Sequence, residues 1–96
     1  MPHNLFVSYD LNDPGQSYDK VAKAIKELGA WAKVQMSFWY VSSDYSAKQA
    51  CQHIWKSMDS NDSLTVVDAT TNDAFWFNVS PEAQKQMQVM WRRLAA

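Results

Sequence analysis

AWAKVQMSFWYVSS, residues 30 to 43, alternates in side-chain character along its whole length. Strict alternation puts Ala32, Val34, Met36, Phe38 and Tyr40 on one face and Trp31, Lys33, Gln35, Ser37, Trp39 and Val41 on the other. The run is long for a single strand, since strands usually hold about 5 to 6 residues. A tight hairpin near Gln35 to Ser37 suits that length, although neither Gly nor Asn marks a turn there. The pattern alone leaves one long strand and a hairpin both open.

The flanks are easier to read. Upstream, residues 4 to 9, NLFVSY, are rich in β-formers and stop at DLNDPG, which has turn chemistry throughout. Tyr18, Val21, Ala22, Ile25 and Leu28 then recur at helical spacing over residues 17 to 28. Ser17 or Asp13-Pro14 can start that helix and Gly29 can end it. Downstream, Asp44 or Ser46 can cap a helix whose stripe is Ala47, Ala50, Cys51, Ile54 and Met58. SLTVVDA at 63 to 69 and AFWFNV after the turn TTND read as strands. Ser80-Pro81 opens a last helix along Ala83, Met87, Met90, Trp91 and Leu94, with Arg92 and Arg93 suited to its C-terminal end.

With the hairpin, the order is β-α-β-β-α-β followed by β-α. Two helices on one face of a four-stranded antiparallel sheet, the α+β ferredoxin-like solution, satisfy this order. A single domain over residues 1 to 96 is expected, with its core at 4 to 69 and a strand and helix appended at 74 to 96. Treating the first and third strands as parallel neighbours puts Asp10, where the first strand ends, near Ser42, Ser43 and Asp44.

Composition bounds the function. At 47% apolar and 20% charged residues the 96-residue chain is an ordinary globular domain. Its lone cysteine, Cys51, rules out an internal disulfide and a cysteine zinc site. The first residues lack a basic region followed by an apolar one, and no apolar run reaches membrane-spanning length, so a cytoplasmic location away from membranes is expected. A net charge of −1 gives no global field for nucleic acid. Five Trp exceed what one small core holds, and such residues gather at interfaces, so an oligomer is expected.

LFVSYDL, followed by a helix and then VQMSFWYV, resembles the small CRISPR-associated adaptation proteins of the Cas-two family and the related VapD-type ribonucleases. The nearest overall look is to SinR-like bacterial proteins. The likeness spans residues 4 to 68, and its sharp motifs are Tyr9-Asp10 and Gln35-x-Ser37-Phe38. It implies a hairpin within 30 to 42 and a ferredoxin-like homodimer whose fifth strand extends the partner's sheet. It also implies that Asp10 meets its symmetry mate and holds Mg²⁺ or Mn²⁺ for phosphodiester hydrolysis, with Tyr9, Ser37, Phe38 and Trp39 near a dimer or nucleic-acid cleft. RNA is then a more natural partner than DNA. The chain departs from the pattern where Val34 and Met36 replace the usual basic residues, where Leu11 and Asn12 follow Asp10, and in the helix after residue 80.

Each candidate residue has a plainer role. Mg²⁺ needs only one or two carboxylates beside water and phosphate, which a two-fold pair of Asp10 side chains supplies. Alternatively, Asp10 and Asp13 satisfy turn amides. His3 and His53 are the general-base candidates, but neither has a partner at a telling spacing. Cys51 falls on an apolar stripe and reads as core. Trp31, Trp39 and Phe38 could stack unpaired bases, or could anchor a partner subunit on the open sheet face. Three function classes follow: a metal-dependent nuclease, a dimeric module that binds nucleic acid or protein, and a small-molecule-binding ferredoxin-like dimer, which no specific residue supports.

Overall fold

The computed structural model describes residues 2–12 and 18–95, with side chains described as far as Trp91. The expected helix starts at Asp13-Pro14 and Ser17 lie outside these residues, as does the Asp13 side chain. Eight elements follow one another: β1 (His3–Asp10), α1 (Tyr18–Lys26), β2 (Gly29–Gln35), β3 (Phe38–Ser43), α2 (Ala47–Trp55), β4 (Ser63–Asp68), β5 (Asp73–Phe77) and α3 (Pro81–Ala95). The five strands form one antiparallel sheet in the order β2-β3-β1-β4-β5, giving an α+β domain with three helices.

The stretch at 30 to 43 is a hairpin. Gln35 opposes Phe38 across the turn residues Met36 and Ser37, and the ladder slips between Lys33 and Gln35. That irregularity interrupts the strict alternation, so Gln35 shares a face with Phe38 and not with Trp39. β2 is the exposed edge of the sheet, and a bulge with Lys33 beside it is a usual guard against edge-to-edge pairing.

The hairpin overturns one expectation. β2 runs parallel to β1 after the α1 crossover, so β3, folding back from β2, lies antiparallel to β1 and pairs His3 with Ser43. Ser42 to Asp44 therefore sit at the opposite end of the sheet from Asp10, whose partner is Ser63 on β4. At the other edge, β5 pairs with β4 of its own chain, Leu64 to Phe77 through Asp68 to Asp73.

One face of the sheet is sealed. Leu5, Val7, Trp39, Val41, Leu64 and Val66 are buried against α1 and α2. α1 contributes Val21 and Ile25, while α2 contributes Ala47, Ala50, Cys51 and Ile54 along the predicted stripe. At about 1.5–3 kcal/mol for each fully buried large aliphatic chain, this layer is the main source of stability. Ser46 starts α2 with a capping box: its hydroxyl accepts from the Gln49 N–H at 3.1 Å, and the Gln49 side chain accepts from the Ser46 N–H at 3.0 Å. Gly29 opens β2 at φ +156°, where a Cβ would run into the Ser42 carbonyl oxygen of the adjacent strand.

The alternate residues of the central strands face away from α1 and α2. On that open face Phe6 lies parallel to Phe38 at 5.7 Å and tilted against Tyr40 at 5.5 Å between ring centres. α3, capped by the Ser80 hydroxyl accepting from Ala83 N–H at 3.2 Å, returns beside β5. Its Trp91 indole donates to the Asn72 carbonyl at 3.1 Å, and Met87 and Trp91 meet Trp76 around a cleft of about 220 Å³. Among the described residues no helix is long and apolar enough to cross a membrane.

Candidate functional site

Asp10 is the last residue of β1 and stands exposed. Because Tyr9 points into the core, alternation turns Asp10 to the open face, with Ser8 one pleat away. A polar cleft of about 260 Å³ lies here, lined by Ser8, Asp10, Ser63, Asn78 and Ser80 among others. The surrounding loops are fixed by side chains that sequence reading does not single out. Asp62, fully buried, accepts from the backbone N–H of Asn12 at 2.9 Å and of Asp59 at 2.7 Å. Asn78, at φ +57°, donates through its amide to the carbonyls of Asp62 at 2.7 Å and Ser60 at 3.2 Å. Asn tolerates this left-handed backbone better than most residues.

The cleft supplies oxygen donors suited to a hard cation but only one carboxylate. Among the described residues, no three His, Cys, Asp or Glu side chains gather as a metal-binding group. Mg²⁺ held by Asp10 alone would rely on water and phosphate for most of its octahedron, and only a second carboxylate would add the charge that one Asp lacks.

The remaining cleft residues expected from sequence part company. Tyr9 and Trp39 are buried on the helix side, where the Trp39 indole donates to the Tyr9 hydroxyl at 3.2 Å. Burial pushes the Tyr9 phenol up, and the nearby Tyr18 adds to this against the opposing Trp39 hydrogen bond. Ser37 is a turn residue whose carbonyl accepts the Tyr9 N–H at 3.2 Å. Phe38 alone of the four lies on the open face, so Asp10 and Phe38 share a side that Tyr9 and Trp39 do not. Trp31 tilts against Trp39 at 5.3 Å, with the Lys26 ammonium 4.7 Å from its ring centre, which separates both indoles from Phe38.

Both histidines have partners from distant sequence. His3 Nδ1 lies 2.6 Å from Asp68 Oδ2 at the opposite end of the sheet from Asp10. Asp68 is 1% exposed and also accepts from the backbone N–H groups of Thr70 at 3.0 Å and Thr71 at 3.3 Å. Burial works to raise this carboxyl, but hydrogen bonds from Thr71, His3 and Thr70 outweigh it and hold Asp68 below its ordinary value. His53 meets Glu27 of the α1–β2 turn at 3.0 Å. Cys51 is buried and its thiol is pushed up to about 12, so it is a core residue and no nucleophile.

The alternation of residues 4 to 10 puts Phe6 on the face opposite Leu5 and Val7, but its place beside Phe38 comes from the antiparallel β1–β3 register, which no local pattern carries. Asp68 gave no signal beyond ending a strand. Comparison with known proteins finds no family model, no curated protein and no solved structure that matches the chain.

Proposed function

We propose that the chain is a cytoplasmic ferredoxin-like domain of the Cas-two and VapD kind, acting as a homodimer through its open sheet face and serving as a binding module. The order β2-β3-β1-β4, with α1 and α2 both packed on one side, supports the ferredoxin-like reading and leaves β5 and α3 as additions. The dimer reading rests on the ring cluster of Phe6, Phe38 and Tyr40, which lies on the face opposite the core that α1 and α2 seal. The strand residues around it, Asn4, Ser8, Ser42, Thr65 and Val67, are uncharged; α3 meets the β5 side of this face through Met87 and Trp91 at Trp76, and Asp10 is at the margin. Such a face meets a second copy without like-charge repulsion in its centre, since the described strand residues beside the rings include no cation. Sedimentation should give twice the chain mass for the native protein and one chain mass for a folded Phe38→Glu variant. A native protein that stays monomeric at high micromolar concentration would overturn the dimer.

A second reading, hydrolysis of RNA with Mg²⁺ or Mn²⁺, is favoured by the exposure of Asp10 on the same face as the ring cluster. Pairing two open faces about a two-fold axis brings both carboxylates to one interface. RNA cleavage that requires either metal and disappears in Asp10→Asn would support it. Cleavage unchanged in that variant would sink the Asp10 mechanism.

A further inference from the structure

Between the first turns of α1 and the β2–β3 hairpin, on the helix side of the sheet, lies a cavity of about 390 Å³. Its volume falls within the roughly 300–1,000 Å³ of small-molecule sites. Two of its lining residues are buried, Tyr9 at 4% and Trp39 at 2% exposure, and form its floor. Its walls reach solvent through Tyr18 at the start of α1 and Met36 in the hairpin turn, with Ala22 half-buried below them. Among the described lining residues the charged ones are Lys33 and Asp19, one of each sign, so the mouth has no net charge that would select an ion.

The floor holds a donor that the fold does not complete. The Tyr9 hydroxyl accepts from the Trp39 indole at 3.2 Å. As a donor it reaches only the Met36 carbonyl at 3.5 Å, against about 2.5–3.0 Å for an ordinary O–H···O bond. Burial pushes this phenol up, so it keeps its proton at neutral pH. A buried donor without a well-placed acceptor is costly. Tyr9, Trp39 and Met36, the residues around that hydroxyl, all line the cavity, so an oxygen entering it can supply the missing acceptor. The walls add a preference for flat rings: Tyr18 is 48% exposed, and the thioether of Met36 makes favourable contacts with aromatic edges.

We infer that this cavity binds a small, neutral aromatic molecule bearing a carbonyl oxygen, which accepts from the Tyr9 hydroxyl while the ring lies between Tyr18 and Met36. Tyr9 and Trp39 are on the sealed side of the sheet, so the site is separate from the proposed dimer face.

Titration of the isotope-labelled full chain with indanone, a planar ring ketone, and with indane, the same skeleton without the oxygen, tests it. The readout is the nuclear magnetic resonance signal of the Trp39 indole N–H. Indanone should shift that signal saturably, with half-saturation at about 1 mM or below for a ligand this small. Indane should bind at least about threefold more weakly, the effect of one neutral hydrogen bond. Tyr9→Phe keeps the ring and removes the donor, so it should bring indanone down to the affinity of indane and leave indane unchanged. Ala22→Leu fills the cavity and should weaken both at least about tenfold. Amide spectra that keep the native dispersion confirm that each variant folds. The Trp91 indole, in the separate cleft between β5 and α3, should not respond. No saturable shift at Trp39 at several millimolar indanone, equal affinity for indane and indanone, an indanone affinity indifferent to Tyr9→Phe, or a Trp91 signal that moves with the same midpoint would each overturn the site.

Discussion

The two faces of the sheet are made from alternate residues of the same strands, and they have solved opposite problems. On one side, Leu5, Val7, Val41, Leu64 and Val66 are wholly buried under α1 and α2. On the other, Phe6, Phe38 and Tyr40 pack against one another, the Tyr40 hydroxyl donates to Asn4 Oδ1 at 2.6 Å, and all three rings stay half-exposed. Aliphatic branching fills a sealed layer in three dimensions, whereas flat rings can cover each other on a surface and still present area outward. A domain needing only stability could have carried polar side chains on the second face, as half-solvated antiparallel sheets do. The sealed face carries folding, and the open face is the one that the proposed dimer would use.

The sharpest way to break that division is truncation at its sealed centre. Leu64→Ala removes a side chain with no exposed area and should cost about 2–5 kcal/mol, read as a lower urea midpoint at unchanged slope. A cost below about 1 kcal/mol would mean that the layer relaxes around the loss and is less closely packed than its burial indicates.

Asp68 sharpens the contrast, because it is an ionisable group on the sealed side. Asp68→Ala should cost about 1.5–3 kcal/mol at neutral pH, the range for hydrogen bonds to a charged group. The pH dependence has a definite sign. With its folded carboxyl held below the ordinary value, Asp68 contributes fully above its unfolded pKa of about 3.9, and that contribution fades as pH falls through the folded one. The gap in urea midpoint between native protein and variant should therefore narrow on acidification. A gap that is constant between pH 7 and pH 3 would show that the carboxylate form is not what the Thr70, Thr71 and His3 contacts favour.

How much of this was legible beforehand depends on the range of the interaction. Periodicity and caps are local, so the helix stripe Ala47, Ala50, Cys51 and Ile54 and the Ser46 start were readable. The hairpin was harder, because Met36 and Ser37 are not the Gly or Asn that a two-residue turn prefers, and the irregularity after Lys33 breaks the period. Strand direction is a consequence of that hairpin; taking β1 and β3 as parallel misplaced Asp10 by the length of the sheet. The pairs His3 with Asp68 and His53 with Glu27 join residues 65 and 26 positions apart, and no local pattern encodes them.

Gly29 tests the edge where the sealed layer ends. Its φ of +156° and the nearby Ser42 carbonyl leave no room for a methyl group, so Gly29→Ala should cost about 1–3 kcal/mol, the usual range for overpacking. Since β2 is the exposed outer strand, the damage should stay local. Hydrogen exchange should speed up over residues 29 to 35 and leave β1 and β4 protected. Equal acceleration in the central strands would show that the edge and the sealed layer unfold as one unit.

Phe38→Ser is the smallest change in intrinsic stability and the most direct trial of the open face. The ring is partly exposed and its main partner is Phe6 at 5.7 Å, so the folded monomer should lose only about 1 kcal/mol. If the face binds a second copy, the native melting temperature must rise with protein concentration, because association stabilises the folded form by mass action. Phe38→Ser should abolish that dependence while hardly moving the melting temperature at the dilute limit. A native melting temperature independent of concentration would leave the rings without a partner of their own kind. A large loss at the dilute limit would instead make Phe38 part of the folding core and erase the distinction between the two faces.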